Sequence, residues 1–408
     1  MPEIEHTVFE VLQDRWWVAL AAMVISLIAT PIFRAIAYRF KIVDRPDDLL
    51  KPHARPVAYL GGLGIWAGMM MGLGSYLAAM PTLGTEWADM LRDISRFNVL
   101  RLLNNPLWNL LGIMLSSTVI MIVGLMDDLK DISPKQKIAG QVLAAGILLS
   151  GGIGLRVARM LFTSFAFVPP SWLYVPLSIL VCLVFIIGAC NATNLLDGLD
   201  GLCGGVTGII SLGFLALAVW LALWGSYPDV DGLRIVLALA VAGAVLGFLP
   251  YNIPPASIFM GDAGSMLLGF FVATMMILFC REGIARWLLA ALVVYSLPIL
   301  DTGLALVRRS LAGTSIFAGD RSHLYDQLVD RGLSVKKVVA LFYILSLVAA
   351  VVAVTVAIVL RFRYALVLYA LLFAAVWAIF WKAGMIHPES SKPHNAEESD
   401  PPMPDRSE

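Results

Sequence analysis

Charge is what this chain has least of: only 14% of its 408 residues are Asp, Glu, Lys or Arg, and they cancel to a formal net charge of zero. A balanced, charge-poor chain offers no electrostatic footprint for nucleic acid, which is excluded as a general partner. Cysteine is scarce as well. Cys182, Cys190, Cys203 and Cys280 form no CxxC pair and lie in or beside apolar runs. That excludes a disulfide framework and a thiolate zinc site, and leaves buried small hydrophobes. No GxxxxGK loop and no dinucleotide fingerprint occurs, so any phosphate has to be held by metal and basic side chains. The N-terminus lacks the basic start of a cleavable signal: Glu3, Glu5, Glu10 and Asp14 precede Trp16-Trp17, and the first apolar run is expected to be retained. A clear internal repeat, common in secondary transporters, is missing too.

What the chain has instead is apolar sequence, 59% of its residues, in repeated runs of about 20. A bilayer interior offers the backbone no hydrogen-bond partner, and the runs lack barrel alternation, so the spans have to be helices. The expected fold is all-α, a polytopic integral membrane protein of about eleven transmembrane helices. They lie near residues 16–36, 57–80, 107–126, 138–155, 172–190, 203–224, 233–250, 264–281, 286–307, 335–360 and 363–382. The run 81–106, with Trp87, Arg92, Arg96 and Arg101 among leucines, fits an interfacial amphipathic segment better than a span. An N-terminus outside and a C-terminus in the cytoplasm put about 18 of the Lys and Arg residues in inner loops and about 11 in outer ones, the direction of the positive-inside rule. A single transmembrane domain, 1–382, is expected to precede a disordered cytoplasmic tail, 383–408, rich in Pro, Ser, Asp and Glu.

Several polar stretches interrupt the hydrophobic runs, and on this topology they share one face. The first is Asn191-Ala-Thr-Asn-Leu-Leu-Asp-Gly-Leu-Asp-Gly-Leu-Cys-Gly-Gly205. An ionised side chain at mid-bilayer costs roughly 2.5–3.5 kcal/mol, so Asp197 and Asp200 belong at a membrane boundary, facing protein or ligand. Asn191, Asn194, Asp197 and Asp200 recur every three residues, which predicts one side of a helix starting here; a polar loop with a helix cap is the plainer alternative. The second stretch, Asp127-Asp128-Leu-Lys-Asp131, sets three carboxylates within one turn, near Lys130, Lys135 and Lys137. Such density repels itself unless a cation intervenes, and Mg2+ takes carboxylate oxygens while bridging to phosphates. In the third, Gly261-Asp262-Ala-Gly-Ser265, Asp262 is either a further metal ligand or a helix cap. Phe259, just before it, can stack on a flat base or anchor at the interface. Arg321 and His323 can donate to an oxyanion, although arginines beside inner helix ends also serve topology. Lys51, His53 and Arg55 add cations to the first inner loop. Asp301, inside the ninth span, requires a partner.

In this order the stretches resemble the polyprenyl-phosphate N-acetylhexosamine-1-phosphate transferase family, glycosyltransferase family 4, and within it the undecaprenyl-phosphate N-acetylglucosamine-1-phosphate transferase branch. The motifs that carry the resemblance are DDxxD at Asp127-Asp128-Leu-Lys-Asp131, NxxNxxDGxDG from Asn191, and GDxGS at Gly261–Ser265. The resemblance implies transfer of a sugar 1-phosphate from a UDP-sugar to polyprenyl phosphate, with release of UMP, as the first membrane step of cell-envelope polysaccharide synthesis at the cytoplasmic face of the plasma membrane. It implies Mg2+, or Mn2+ in its place, on Asp262 with Asp131, and Asp127 and Asp128 as the catalytic pair that orients or deprotonates the lipid phosphate. Asn191, Asn194, Asp197 and Asp200 are then expected to line the nucleotide-sugar cleft, with Lys51, Lys137, Phe259, Arg321 and His323 as further substrate-binding candidates. The chain departs from the family's HxHH stretch, reading His323-Leu-Tyr-Asp326. That departure speaks against the phospho-N-acetylmuramoyl-pentapeptide transferase branch, which stays an alternative beside an ion-coupled secondary transporter. Direct attack and a covalent aspartyl-phosphate route are both open, as is a homodimer.

Overall fold

A computed structural model of the chain describes residues 6–44, 56–80, 82–164, 169–224, 228–280, 285–311, 313 and 323–386. Lys51, His53, Arg55 and Arg321, and the tail beyond Ile386, lie outside the described residues. Helix α1 (Val8–Gln13), started by a Thr7–Glu10 capping box, runs into α2 (Trp17–Arg39). The two-residue strands β1 (Val43–Asp44) and β2 (Val57–Ala58) pair antiparallel ahead of α3 (Gly61–Ala79). Next come α4 (Leu83–Ser95) and α5 (Val99–Leu102), within the stretch expected at the interface. On α4, Trp87, Leu91 and Ile94 are exposed while Met90 and Asp93 are buried, so the helix presents an apolar face outward. The remainder alternates long helices with short turns: α6 (Pro106–Lys130), α7 (Pro134–Ser150), α8 (Val157–Ser164), α9 (Tyr174–Leu195), α10 (Leu202–Ala222), α11 (Pro228–Asn252) and α12 (Gly261–Phe279). It closes with α13 (Ala285–Val294), α14 (Ser296–Leu311), α15 (Leu324–Asp330), α16 (Val335–Val359) and α17 (Phe362–Lys382).

Among the described residues nine helices are long and apolar enough to cross a membrane, and the bent pair α13–α14 brings the number to ten. The expected span at 138–155 is α7, whose 17 residues reach about 26 Å, a little short of a ~30 Å hydrocarbon core. The ninth expected span is broken: α13 and α14 meet at 71°. Pro298 sits in the first turn of α14, where its missing N–H costs nothing and its ring favours a fresh helix start. The spacing of the Asn191 stretch predicted one helix; instead α9 ends at Leu195, residues 196–201 turn, and α10 begins at Leu202. Gly201 at φ +76 supplies the left-handed conformation from which α10 starts, and Asn191 and Asn194 share a helix face while Asp197 and Asp200 sit in the turn.

Burial orders the bundle. The apolar windows of α12 and α11 are 94% and 89% buried, those of α2 and α17 only 22% and 11%, so α11 and α12 are central and α2 and α17 face outward. Helix α12 packs on α3, α6 and α9, and α2 packs on α3 and α11. In lipid, helices gain little from hydrophobicity and pack through small residues. Gly124 of α6 is the clearest case: a Cβ there would collide with the backbone of Asp262 and Ala263, so the C-terminal end of α6 lies directly against the start of α12. The segment before α12 is stapled as well, Phe259 N donating to Ala58 O at 2.8 Å and Gly61 N to Phe259 O at 2.9 Å.

Candidate active site

Four helix ends carry the acidic and amide residues to one place. Asp127 and Asp128 come from the last turn of α6, Lys137 from the first turn of α7, Asn194 from the end of α9 and Asp262 from the first turn of α12. Pro134 and a Ser133–Gln136 capping box fix where α7 starts, which aims Lys137 back at α6 and α12. Its Nζ lies 2.7 Å from Asp127 Oδ2 and 2.6 Å from Asp262 Oδ2. One ammonium between two carboxylates leaves an uncompensated negative charge in a half-buried site. Asn194 Nδ2 donates to Asp262 Oδ1 at 2.8 Å and to Ser265 Oγ at 3.0 Å, so both oxygens of Asp262 are oriented.

Asp128 points elsewhere. Its two oxygens accept the backbone N–H groups of Asp262, at 2.7 Å, and Ala263, at 3.0 Å. It thus caps α12 from a neighbouring helix, filling amides that helix starts leave unpaired and meeting the positive end of the helix dipole. Asp127 Oδ1 accepts Ile132 N at 3.1 Å, which folds the turn between α6 and α7. Asp131 ends α6 in the left-handed region at φ 51, exposed, and joins no gathering of acids. Among the described residues no three His, Cys, Asp or Glu side chains form a ready-made metal cage. The donors that do converge, Asp127 Oδ2 and Asp262 Oδ2, are hard oxygens of the kind Mg2+ uses one or two of, keeping water and substrate phosphate for its other positions.

The amide stretch divides its work. Asn191 Nδ2 donates to Ile187 O at 2.7 Å and to Gln141 Oε1 at 3.2 Å, tying α9 to α7 one turn below Lys137. Asp200 Oδ2 accepts Ala256 N at 2.8 Å. Asn252 joins the same loop, taking Gly201 N at 3.0 Å and donating to Ile258 O at 3.0 Å. Asp197, half-buried in the turn, is held well above the ordinary carboxylate range by burial, reinforced by the negative fields of Asp262, Asp128 and Asp200. Tyr59 is pushed up by burial first and then by the negative fields of Asp128, Asp262 and Asp197. Its ring meets Phe259 edge-on at 6.2 Å.

His323 and Asp301 form a second, buried unit. His323 Nδ1 and Asp301 Oδ2 share a hydrogen bond of 2.8 Å, and Asp301 Oδ1 accepts Leu324 N at 2.6 Å, so the carboxylate that needed a partner inside α14 has two. The His323 ring stacks on Tyr325 at 5.5 Å and 6°. Tyr325 OH donates to Leu195 O at 2.9 Å, and its ring lies where any side chain on Gly198 would be. Sequence reasoning passed over Tyr325, Gln141, Asn252 and Tyr59. Tyr325 had a signal, standing where the HxHH pattern puts a histidine, and Gln141 lies one turn after Lys137. Nothing local marks Asn252 or Tyr59, whose importance comes from neighbours distant in sequence.

Comparison with known proteins bears on this geometry. Residues 110–280 match the model described as glycosyl transferase family 4. The probable undecaprenyl-phosphate N-acetylglucosaminyl 1-phosphate transferase of Bacillus subtilis (strain 168) is 29% identical over 339 residues, 82% of this chain and 83% of that protein. The decaprenyl-phosphate N-acetylglucosaminephosphotransferase of Mycobacterium leprae (strain TN) is 31% identical over 347 residues, 80% of each chain. This chain belongs to glycosyl transferase family 4. A more partial match is the phospho-N-acetylmuramoyl-pentapeptide-transferase of Shouchella clausii (strain KSM-K16), 32% identical over 247 residues and 57% of this chain. The family match spans α6 to α12, and so contains the Lys137 cluster and the Asn191 stretch but not the His323–Asp301 unit.

Proposed function

We propose that this family 4 protein transfers a sugar 1-phosphate, N-acetylglucosamine 1-phosphate first among the candidates, from a UDP-sugar to polyprenyl phosphate at the cytoplasmic membrane face, releasing UMP. The observation that carries the reading is the convergence of Asp127 and Asp262 on Lys137 at a set of helix ends, where a lipid tail can stay in hydrocarbon while its phosphate reaches charged groups. The relatives that span about four-fifths of the chain are named for this transfer, to undecaprenyl or decaprenyl phosphate.

In the reaction an oxygen of the lipid phosphate attacks the sugar-bearing phosphorus, a new diphosphate bond forms, and the bond to the UMP oxygen breaks. A phosphomonoester has a second pKa near 6, so the attacking oxygen is largely ionised at neutral pH and needs placing more than deprotonating. Lys137 supplies a fixed positive charge for phosphoryl oxygens, of the preorganised kind that contributes most in phosphoryl transfer. Asp127 and Asp262 would hold Mg2+, with Mn2+ as a substitute; when bound, the ion neutralises diphosphate oxygens and the leaving UMP. Asn194 keeps Asp262 oriented, and Asp128 acts through the α12 backbone that it caps, not by contact with the acceptor. Asp197 and Tyr59 border the same face and are the groups offered to the nucleotide sugar.

The deciding measurement is UMP release from a panel of UDP-N-acetylhexosamines by the purified chain, with and without polyprenyl phosphate. The expected result is release that requires the lipid phosphate, is fastest with UDP-N-acetylglucosamine, stops with a chelator and returns with Mg2+. No release from any UDP-sugar in the presence of lipid phosphate and Mg2+ would remove the proposal.

A further inference from the structure

The end of α2 and the turn after it carry three cations, Arg34, Arg39 and Lys41, and none of the ion pairs among the described residues uses them. Arg34 lies over the ring of Tyr251, 5.9 Å from its centroid, and Tyr251 is itself fixed by donating to Leu27 O at 3.0 Å. Beside Arg34 opens a groove of about 360 Å3 lined by Pro31, Arg34, Ala35, Tyr38 and Ser257. The first four follow the spacing of one helix face, and Ser257 forms the facing wall.

The same face of α2 continues toward its N-terminus through Leu27, Val24 and Leu20, all exposed, while Val18, Ala22, Ser26, Thr30 and Ala37 are buried on the opposite side. A cationic groove with hydroxyl groups on its rim therefore sits directly above an outward-facing apolar stripe. An arginine fork over an aromatic ring is suited to phosphate oxygens, and a stripe of that kind to an acyl chain. We propose that this groove binds an anionic membrane phospholipid, its phosphate on Arg34 and its chain along Leu27, Val24 and Leu20.

Occupancy has a consequence inside the protein. Tyr251 lies in the last turn of α11 and Ser257 in the loop that follows, whose Ala256 N–H is held by Asp200 Oδ2, and Ser257 Oγ donates to Tyr251 O at 2.9 Å. A headgroup in the groove braces this loop from the lipid side while Asp200 braces it from the cleft side. Anionic lipid thus supports the geometry of the cleft from outside it.

The full chain is placed in nanodiscs of phosphatidylcholine alone or with phosphatidylglycerol. Lipid retained after mild detergent extraction is counted by native mass spectrometry, beside the melting temperature. Wild type is expected to keep phosphatidylglycerol in preference to phosphatidylcholine and to melt higher with it. Arg34→Ala should lower phosphatidylglycerol retention about fivefold, the scale of one basic contact with an anionic lipid surface, and leave phosphatidylcholine retention unchanged. Arg34→Lys, which keeps the charge but loses the fork and the ring stacking, should fall between and covers the case in which the alanine variant folds poorly. Equal phosphatidylglycerol retention in wild type and both variants overturns the site. Displacement of phosphatidylglycerol by stoichiometric polyprenyl phosphate, lost in Arg34→Lys, would also overturn it by giving the groove to the acceptor. Because the readout is bound lipid, failure here leaves the proposed reaction untouched, and failure of that reaction leaves this result standing.

Discussion

At the scale of single residues, the cluster separates carboxylates that look alike in sequence. Asp262 has both oxygens engaged by side chains that point into the cleft, whereas Asp128 has both engaged by backbone amides. Asp262→Asn keeps the shape and the Asn194 neighbour but removes the charge, so transfer should fall about 100-fold or more while detergent extracts stay folded by gel filtration. Near-normal turnover in that variant would end the metal assignment. Asp197 gives a test of sign. Its carboxyl is raised above the ordinary 3.8, so the folded chain binds the proton more tightly than the unfolded one, and stability falls as pH rises above that value. Asp197→Asn cannot ionise. In chelator-treated samples its melting temperature should exceed wild type by a margin that vanishes near about pH 4 and grows toward about pH 8. A margin that shrinks with pH would contradict the burial account.

At the scale of elements, helix ends build the site. A helix terminus leaves backbone amides or carbonyls unpaired, and this chain answers them with side chains from other helices. Asp128 caps α12 from α6, and Tyr325 takes the carbonyl of Leu195 at the end of α9; Tyr343 OH adds a second donor, at 2.6 Å, to Gly201 O, which already accepts Gly205 N at the entry to α10. Tyr325 also locks the turn that carries Asp197, because its ring fills the space beside Gly198. Tyr325→Phe should cost about 0.5–1.5 kcal/mol of stability for the lost hydrogen bond, and Gly198→Ala about 1–3 kcal/mol for overpacking. Chemical denaturation in detergent reads both, and a Gly198→Ala variant as stable as wild type would mean that the ring is not fixed there. If the turn positions donor substrate, both changes raise KM for the UDP-sugar more than they lower kcat.

At the scale of the whole molecule, the acids gather at one end of the bundle, and a buried Arg234–Asp231 pair, 2.7 Å apart, lies in the first turns of α11 at the other. A coupling-ion transporter would place such groups near mid-membrane, so the end location favours an enzyme working at an interface. All four native cysteines are buried, which makes introduced ones readable. Asp131→Cys and Ser334→Cys should react with a membrane-impermeant maleimide only when the cytoplasmic face is open, and Arg156→Cys only from outside. Asp131→Cys reacting from outside would move the site to the wrong face.

Sequence alone determined that this chain is a bundle of membrane helices and which stretches carry its acidic and amide residues, because both are local properties. A run of about 20 apolar residues has to be helical in lipid, and a carboxylate beside such a run is costly enough to stand out. It also carried three motifs whose order matches family 4. What it could not decide was partnership: that Asp127 meets Asp262 across Lys137, that Asp128 serves a backbone, that Asn191 turns to Gln141, or that α13 and α14 bend apart. Those depend on which helix ends lie side by side. That neighbourhood is set by close backbone approaches such as Gly124 against Asp262, across more than a hundred residues of chain, where no local spacing reaches.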